Sequence, residues 1–263
     1  MIKKSKIKRY INLINTIYNW EKYLLDKLSK ADRITYITRN KKLVFDVPSS
    51  LGRIFKEIFL DEFYDLAKLR NKTDTSSVVF DIGANAGFFT IFITEKINPK
   101  EIHCFEPFPN NFNLLVENIK NIQSFNPNIY LNNLAIVGPG IDSIDLFFDE
   151  GQSYSPTASI LKGIDTTNKE IKAQATNLEK YCSENNIQKI DLLKMDCEGA
   201  EYNIFYNLSL TFFSKIESIY METHDLDTNQ NNTNALINFF SQLEYKTEVI
   251  PIHDHVAMIW VVR

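Results

Sequence analysis

Residues 78–90 read VVFDIGANAGFFT, and this stretch decides the fold. The run 78–80 is apolar, β-branched and aromatic, which is typical of a buried strand. After it come one acid and three residues at intervals of two: Asp81, Gly83, Asn85 and Gly87. An apolar run of helical character, 88–93, follows. Strand, glycine turn and helix form the opening of a nucleotide-binding α/β domain, in which the helix N-terminus directs free N–H groups at the ligand.

The glycine loop also indicates which nucleotide is bound. Asn85 stands at the middle glycine of the dinucleotide pattern G-x-G-x-x-G, so the loop does not match that pattern. Its form, D-x-G-x-N-x-G, resembles the S-adenosylmethionine (SAM) loop of Rossmann-like methyltransferases. SAM has no pyrophosphate and needs a carboxylate near its amino or sulfonium end. We therefore expect the cofactor to be bound by Asp81, Gly83, Asn85 and Gly87. The alternative is an ordinary βα turn of an unrelated α/β protein.

Composition excludes several classes of protein. The 263 residues are 44% hydrophobic and 24% charged, which suits one large globular domain with an appendage. A net charge of −4 and a pI of about 5.7 give no global attraction to nucleic acid, so no nucleic-acid partner is expected. The three cysteines form no C-x-x-C pair, which argues against zinc and disulfides and suits a reducing cytoplasm.

The first 74 residues are predicted to be an N-terminal helical appendage, and residues 75–263 the SAM-binding domain. Residues 1–30 show helical periodicity in the apolar residues Ile7, Tyr10, Ile11, Ile14, Ile17, Tyr18, Leu24, Leu25 and Leu28. Five of the first nine residues are Lys or Arg. A basic amphipathic helix can lie on an anionic membrane. The favoured alternative is that this stripe packs on the catalytic domain. A strand pair at 33–47 and a second helix at 53–69 follow.

From residue 77 onward, strands alternate with helices, which implies a parallel sheet. The predicted strands are 78–82, 101–105, 129–136, 190–195, 218–222, 245–250 and 255–262. The last two are joined by 251–254 and suit a closing hairpin with one antiparallel strand. We therefore expect a Rossmann-like, seven-stranded, mostly parallel methyltransferase sheet with helices on both faces. A further strand at 144–149 and a loop at 151–163 are expected as an insertion.

Acids and amides follow the second and third strands. Glu106 ends the second strand 25 positions after Asp81, where an acid accepts hydrogen bonds from ribose hydroxyls in nucleotide-binding α/β folds. Phe108 lies just beyond and is expected to cover the adenine. Asn133 and Ala135, at the end of the third strand, are expected at the adenine edge. The alternative for Glu106 is a solvated acid at a strand end.

Charged residues also follow the fourth and fifth strands. Lys194, Asp196 and Glu198 share one side of an extended strand, and Glu222 and His224 share a side of the next. In a doubly wound sheet these carboxyl ends meet near the first strand, so the acids and the histidine are expected in one cleft. A structural network is the alternative, and we expect Lys194 and Glu222 to be structural.

Six blocks, in order, resemble the FkbM-type SAM-dependent methyltransferase family. They are FDIGANAGFFT, FEPFPNNFNLLVENI, NNLAIVGPG, the segment ending in ATNLEKYC, DLLKMDCEGAE and METHD. The fourth block departs slightly, because the family usually has T-L-D where this chain has Thr176, Asn177, Leu178 and Glu179. The resemblance covers about 78–225 and leaves 1–70 uncovered.

This resemblance implies methyl transfer from SAM, mostly to oxygen, on sugars, glycans, glycolipids or polyketide-like metabolites. The partner is then a small-molecule or saccharide acceptor, whose pocket we expect to be shaped by the loop 151–163 and the N-terminal segment. His224 is the preferred base, since its ordinary pKa is near the working pH. Asp196 is the alternative base or orients His224, and Glu198 is a further catalytic candidate. Asp196, Glu198 and Glu222 suit Mg²⁺, but no spacing demands a metal and none is assigned.

Three rival functions fit the sequence less well. A nicotinamide-dependent oxidoreductase lacks support in the glycine loop and in the DCEGAE strand end. A nucleic-acid methyltransferase would need an Asn/Asp-Pro-Pro-aromatic turn or a Pro-Cys nucleophile, and here Cys197 follows Asp196. A non-enzymatic SAM-binding or membrane-docking protein is the third, although the loop and its acids are intact. The favoured prediction is a cytoplasmic O-methyltransferase with peripheral membrane contact through residues 1–30 left open.

Overall fold

The computed structural model describes residues 6–29, 31–120, 122, 128–149, 154–155 and 168–263. The N-terminal elements are α1 (Lys6–Thr16), α2 (Glu21–Ser29), β1 (Arg33–Ile37), β2 (Val44–Pro48), α3 (Gly52–Phe59) and α4 (Leu66–Lys72). Strands β1 and β2 pair antiparallel, which confirms the predicted strand pair. Among the described residues, no helix combines the length and the apolar composition of a membrane span.

The remaining elements alternate between strand and helix over 78–120 and 178–242, as predicted. They are β3 (Val78–Ile82), α5 (Phe88–Lys96), β4 (Glu101–Phe105), α6 (Pro109–Lys120), β5 (Asn128–Asn132), β6 (Ala135–Ile136), β7 (Ser143–Asp149), β8 (Asn168–Thr176), α7 (Leu178–Glu184), β9 (Leu192–Met195), α8 (Glu201–Tyr206), β10 (Ser218–His224), α9 (Thr233–Gln242), β11 (Lys246–His253) and β12 (Val256–Val262). Of the predicted loop 151–163, only residues 154–155 are described.

A seven-stranded sheet in the order β11-β12-β10-β9-β3-β4-β5 forms the centre of the fold. β12 runs antiparallel to β10 and β11, and the other pairs are parallel. Successive strand residues pack into two different apolar clusters, Val79 with α5 and α6, and Phe80 with α7, α8 and α9. Since neighbouring side chains of a strand point to opposite faces, helices cover both faces. The predicted Rossmann-like fold class is confirmed.

The N-terminal elements share the apolar cluster of α5. Every residue from Phe88 to Glu95 is buried, so α5 is covered on all sides. Phe45 meets Phe88 at 6.0 Å between ring centroids, and Phe59 meets Phe92 at 5.9 Å. The segment before β3 therefore covers the helix that follows the glycine loop.

Three predicted elements are interrupted, each by a side-chain hydrogen bond. The helix at 1–30 breaks at 17–20, where Asn19 accepts from Ile37 N and donates to Thr35 O. The helix at 53–69 breaks at 60–65, and Asp65 caps the new helix α4. The third strand divides into β5 and β6, between which Asn133 donates to Glu106 O. β6 instead joins β8 and β7 in a separate sheet.

The face on which α1 packs differs from the predicted stripe. Leu13 and Ile17 are fully buried, whereas Ile7, Ile11 and Ile14 are exposed. Both sides of this helix carry apolar residues, and the side chosen is the one that contacts α3. The expectation that the whole stripe packs on the catalytic domain is therefore wrong for these residues.

Because the rings of Phe59 and Phe92 close one core, the Phe59→Ala variant should lose about 3–5 kcal/mol of unfolding free energy in urea denaturation. Leu210→Ala is the matched control, since Leu210 is 71% exposed and its loss should change stability by less than about 0.5 kcal/mol. If Phe59→Ala instead showed a separate unfolding transition at low urea and an unchanged main transition, the N-terminal elements and α5 would not share one core.

Candidate active site

The glycine loop adopts a backbone that most side chains would prevent. Gly83 has a φ of +71°, and a Cβ placed on it would lie 1.8 Å from the carbonyl oxygen of Asp196. Gly87 has a φ of +83° and precedes α5. The Gly83 and Ala84 N–H groups both donate to Phe105 O, at 3.0 and 2.9 Å. The loop between β3 and α5 is thus held against the ends of β4 and β9.

A buried ion pair lies under this loop. Lys194 Nζ is 3.0 Å from Asp81 Oδ1 and donates to the carbonyl oxygens of Gly83 (2.8 Å) and Ile82 (3.3 Å). Burial lowers the pKa of Lys194, but the carboxylates of Asp81, Asp196 and Glu106 together outweigh burial and raise that pKa, so the amine stays charged. Thr90 donates to the other oxygen of Asp81 at 2.7 Å. These contacts support the loop backbone, and the structural role expected for Lys194 stays a prediction, since its side chain also lines the cavity described below.

Glu106 is held by backbone donors. Its two oxygens accept from Asn85 N (2.8 Å) and Phe108 N (2.9 Å), and the residue is only 5% exposed. Burial raises the pKa of Glu106 to about 7, although the two backbone bonds oppose the shift. Each carboxylate oxygen keeps a second lone pair, and Glu106 lines a cavity of about 420 Å³.

That cavity brings together seven of the residues singled out from the sequence: Gly83, Asn85, Glu106, Ala135, Asp196, Glu198 and His224. They come from the ends of β3, β4, β9 and β10 and from β6. Convergence of strand ends is what the parallel topology requires. Part of the wall comes from the N-terminal elements, through Arg53, Ile54, Phe63 and Tyr64.

The other four candidates are not among the residues that line the cavity. Asp81 is fully buried against Lys194 and Thr90. A Cβ on Gly87 would lie 2.6 Å from the Leu115 side chain, so Gly87 allows α5 to approach α6. Phe108 packs on Phe148 at 4.9 Å, and Asn133 donates to the Glu106 and Pro107 carbonyls. In this structure Asp81, Gly87, Phe108 and Asn133 support the binding surface and do not line it.

Carboxylates surround the histidine. His224 Nδ1 lies 3.0 Å from Glu201 Oε1, and Nε2 lies 3.5 Å from both Glu198 Oε2 and Glu222 Oε1. Burial lowers the pKa of His224, but the hydrogen bonds to Glu201 and Glu222 and the charges of Glu201 and Glu198 together outweigh burial and raise that pKa to about 11. His224 is therefore an imidazolium at neutral pH, with a proton on each ring nitrogen.

The pKa of Asp196 is also raised, but here burial is the main cause. Burial, followed by the charge of Glu222, raises the pKa of Asp196 to about 8. Burial also raises the pKa of Glu198. Several carboxylates in one apolar-walled cavity cannot all ionise freely, so a proton is shared within the group.

The same group has the composition of a cation site. Asp196, Glu198 and His224 each present one ligand atom, and these atoms lie within 4.8 Å of one another. Oxygen-rich sets of this kind suit Mg²⁺. The sequence assigned no metal because the spacing did not demand one, and the residues meet only through the fold.

Sequence reasoning missed Glu201 as a site residue. This carboxylate is fully buried at the start of α8 and fixes the orientation of the His224 ring. The available signal was its place at the end of the DCEGAE block, directly after Gly199-Ala200.

Comparison with known proteins identifies the family of this chain. A model of the FkbM methyltransferase domain matches residues 81–247. The chain belongs to the FkbM methyltransferase family. It is 26% identical over 186 residues to "Methyltransferase 1" of Beauveria bassiana, covering 65% of this chain and 73% of that one. It is 23% identical over 205 residues to the 31-O-demethyl-FK506 methyltransferase FkbM of Streptomyces tacrolimicus, covering 66% and 75%.

Among solved structures, the chain is similar to methyltransferase FkbM from Methylobacillus flagellatus. The TM-score is 0.50 at 13% identity, over 72% of this chain and 44% of that one. This likeness concerns the fold alone.

As an FkbM-family member, the protein is a methyltransferase with SAM as its cofactor, and the oxidoreductase alternative is set aside. The residues fit this cofactor. Gly83 leaves the loop backbone open to the cavity, and the buried Glu106 carboxylate has lone pairs left for hydroxyl donors. The matched segment contains every candidate residue named from the sequence.

The ion pair under the loop gives a prediction. Lys194→Ala leaves Asp81 as an unpaired buried charge, so this FkbM-family protein should lose about 3–5 kcal/mol of unfolding free energy. Adding Asp81→Asn removes the uncompensated charge and should restore part of that loss. Urea denaturation of the single and double variants measures both effects. A double variant no more stable than Lys194→Ala would show that the pair does not act as a unit.

Proposed function

We propose that this protein transfers the SAM methyl group to a hydroxyl of a sugar, glycan, glycolipid or related secondary metabolite. The observation that carries the proposal is the carboxylate cluster around His224, in the same cavity as the glycine loop and Glu106. The relative from Streptomyces tacrolimicus, whose name describes methylation at an oxygen, supports an oxygen acceptor.

The chemistry requires one proton acceptor in the cavity. When bound, SAM supplies the methyl group, a C–O bond forms as the C–S bond breaks, and S-adenosylhomocysteine leaves. The acceptor hydroxyl gives its proton to a side chain as the bond forms. A positioned base contributes about 10²–10⁴-fold to such a reaction.

We assign the role of base to Asp196. The sequence favoured His224 as the base, with Asp196 as the residue that orients it. His224 has no free lone pair at neutral pH, because the carboxylates of Glu201 and Glu222 raise its pKa to about 11. The pKa of Asp196, raised to about 8 mainly by burial, is close to the working pH, as an efficient base requires. The His224 imidazolium, fixed by Glu201, then orients the neighbouring carboxylates and stabilises ionised Asp196.

The charge of the cavity indicates the class of acceptor. Glu198 and Glu222 can accept hydrogen bonds from hydroxyls next to the reacting one, as in a sugar or polyol. Their negative charge disfavours a phosphate at that place. A polyhydroxylated, locally uncharged acceptor fits best. A SAM-binding protein without catalysis is the second candidate, and turnover distinguishes the two.

For cofactor binding, Glu106→Ala should weaken SAM affinity by about 1–3 kcal/mol in titration calorimetry, the scale of losing charged hydrogen bonds. In the parent, affinity should fall as the pH drops through about 7, because protonation removes the charged acceptor. The variant should lack this dependence. Glu184→Ala, an exposed acid on α7, is the matched control. Equal pH dependence in the parent and in Glu106→Ala would exclude contact between Glu106 and SAM.

For catalysis, S-adenosylhomocysteine release with a panel of glycosides should rise as the pH passes about 8, because Asp196 must lose its proton. Asp196→Asn should lower kcat by about 10²-fold or more with SAM affinity nearly unchanged. His224→Gln should keep the rising limb but move it to higher pH, because a cation beside Asp196 is lost.

The alternative assignment predicts a different profile. If His224 were the base, His224→Gln would abolish the rising limb instead of moving it. Full activity in Asp196→Asn would overturn the assignment made here. The reaction itself is tested by the product, which should be heavier by one methyl group and carry that group on oxygen. Methylation at nitrogen or carbon would overturn the proposed reaction.

A further inference from the structure

The N-terminal helices present a group of exposed apolar side chains. Among the described residues, the large hydrophobic side chains open to solvent are concentrated between positions 7 and 25. We use the name N-terminal apolar face for Ile7, Ile11, Ile14, Tyr18, Leu24 and Leu25. Ile7 is 72% exposed and Leu25 57%. Ile7, Ile11, Ile14 and Tyr18 recur at steps of three and four, so the first three follow one side of α1 and Tyr18 comes just after it. Exposed apolar side chains grouped in this way mark an interaction site more often than scattered single residues do.

This face belongs to an element that is fixed to the protein. Leu13 and Ile17 anchor the opposite side of α1 in the core. Asn12 donates to Leu60 O at 2.9 Å, and Arg9 lies 2.6 Å from Asp61. The apolar face is therefore exposed because α1 already packs by its other side.

The N-terminal segment also differs from the rest of the chain in the sign of its net charge. The first 30 residues carry eight Lys or Arg and two Asp or Glu, a net charge of +6. Since the whole chain has −4, the remaining 233 residues carry −10. Basic residues such as Lys8 and Lys22 alternate with the apolar ones along the helices, and Lys42 Nζ lies 3.5 Å from the centre of the Tyr18 ring.

We propose that the N-terminal apolar face binds an anionic membrane surface. A basic helix with an exposed apolar side lies in the interface plane, with its apolar side chains at the boundary of headgroups and acyl chains. Anionic lipid complements the +6 segment and is repelled by the rest of the chain, so charge also sets the orientation. A second copy of this chain is a poor occupant, because a two-fold contact would bring two +6 segments together.

Binding at this face would act on the wall of the cavity. Lys8 and Arg9 pair with Glu62 and Asp61, at 2.9 and 2.6 Å. These acids directly precede Phe63 and Tyr64, which line the cavity. The helix on the membrane is thus bonded to the segment that forms part of the acceptor side. The inference does not depend on which acceptor is methylated.

The test is co-sedimentation of the full-length protein with vesicles. The protein should bind vesicles of phosphatidylcholine with about 30% phosphatidylglycerol and not vesicles of phosphatidylcholine alone, and binding should weaken between about 0.1 and 0.5 M salt. The double variant Ile11→Ser/Leu25→Ser should lower binding by about tenfold or more, because two apolar side chains are lost from the interface.

Leu210→Ser/Ile141→Ser is the matched control, since both residues are exposed apolar positions outside the face. It should bind as the parent does, and both double variants should keep the parent's melting temperature. The salt series needs no variant and tests the charge argument by itself. Absence of binding to anionic vesicles at low salt, or equal binding by the parent and Ile11→Ser/Leu25→Ser, would overturn the proposal. Sedimentation velocity provides a further test. If the parent and the control were dimers and Ile11→Ser/Leu25→Ser were a monomer, the membrane proposal would be overturned in favour of a second copy of this chain.

Discussion

The ion pair between Asp81 and Lys194 holds the active site in place. The two residues face each other in register on the neighbouring strands β3 and β9, and both are almost completely buried. A buried charge without a partner is strongly unfavourable, so each residue requires the other. The same amine binds the Gly83 carbonyl, and Gly83 in turn lies directly against the backbone of Asp196. One contact thereby fixes both the cofactor loop and the proposed base.

The second constraint is the excess of acids above this pair. Glu198, Glu201 and Glu222 surround His224, whose proton reduces their mutual repulsion. That arrangement ties the protonation of His224 to the fold rather than to the solution pH, which is why its raised pKa argues against a role as base. Burial of Asp196 and repulsion from the neighbouring carboxylates raise the pKa of Asp196 toward the working pH. Under the proposed mechanism, stability and catalysis therefore depend on the same charges.

The fold and the location of the site could be predicted because parallel strands end at one edge of the sheet. The positions of Gly83, Glu106, Asp196 and His224 in the sequence are enough to place them together. The direction of individual side chains could not be predicted in the same way. Whether Asp81 faces the cavity or Lys194 depends on the pairing of β3 with β9, and Glu201 reaches His224 only through the start of α8. Periodicity likewise shows that α1 is amphipathic, yet Leu13 and Ile7 are equally apolar, and only the contact with α3 decides which one is buried.

The residues that line the cavity come from two parts of the chain. The family match covers residues 81–247 and includes the glycine loop, Glu106 and the carboxylates around His224. Arg53, Ile54, Phe63 and Tyr64 line the same cavity but precede the matched segment. Their backbone is held by the aromatic cluster that covers α5, where Tyr64 meets Phe89 at 4.7 Å. Since α5 begins at the glycine loop, the N-terminal part of the wall and the part within the family match rest on one helix. A change in the N-terminal segment can therefore alter one side of the cavity while the glycine loop and the carboxylates around His224 keep their sequence.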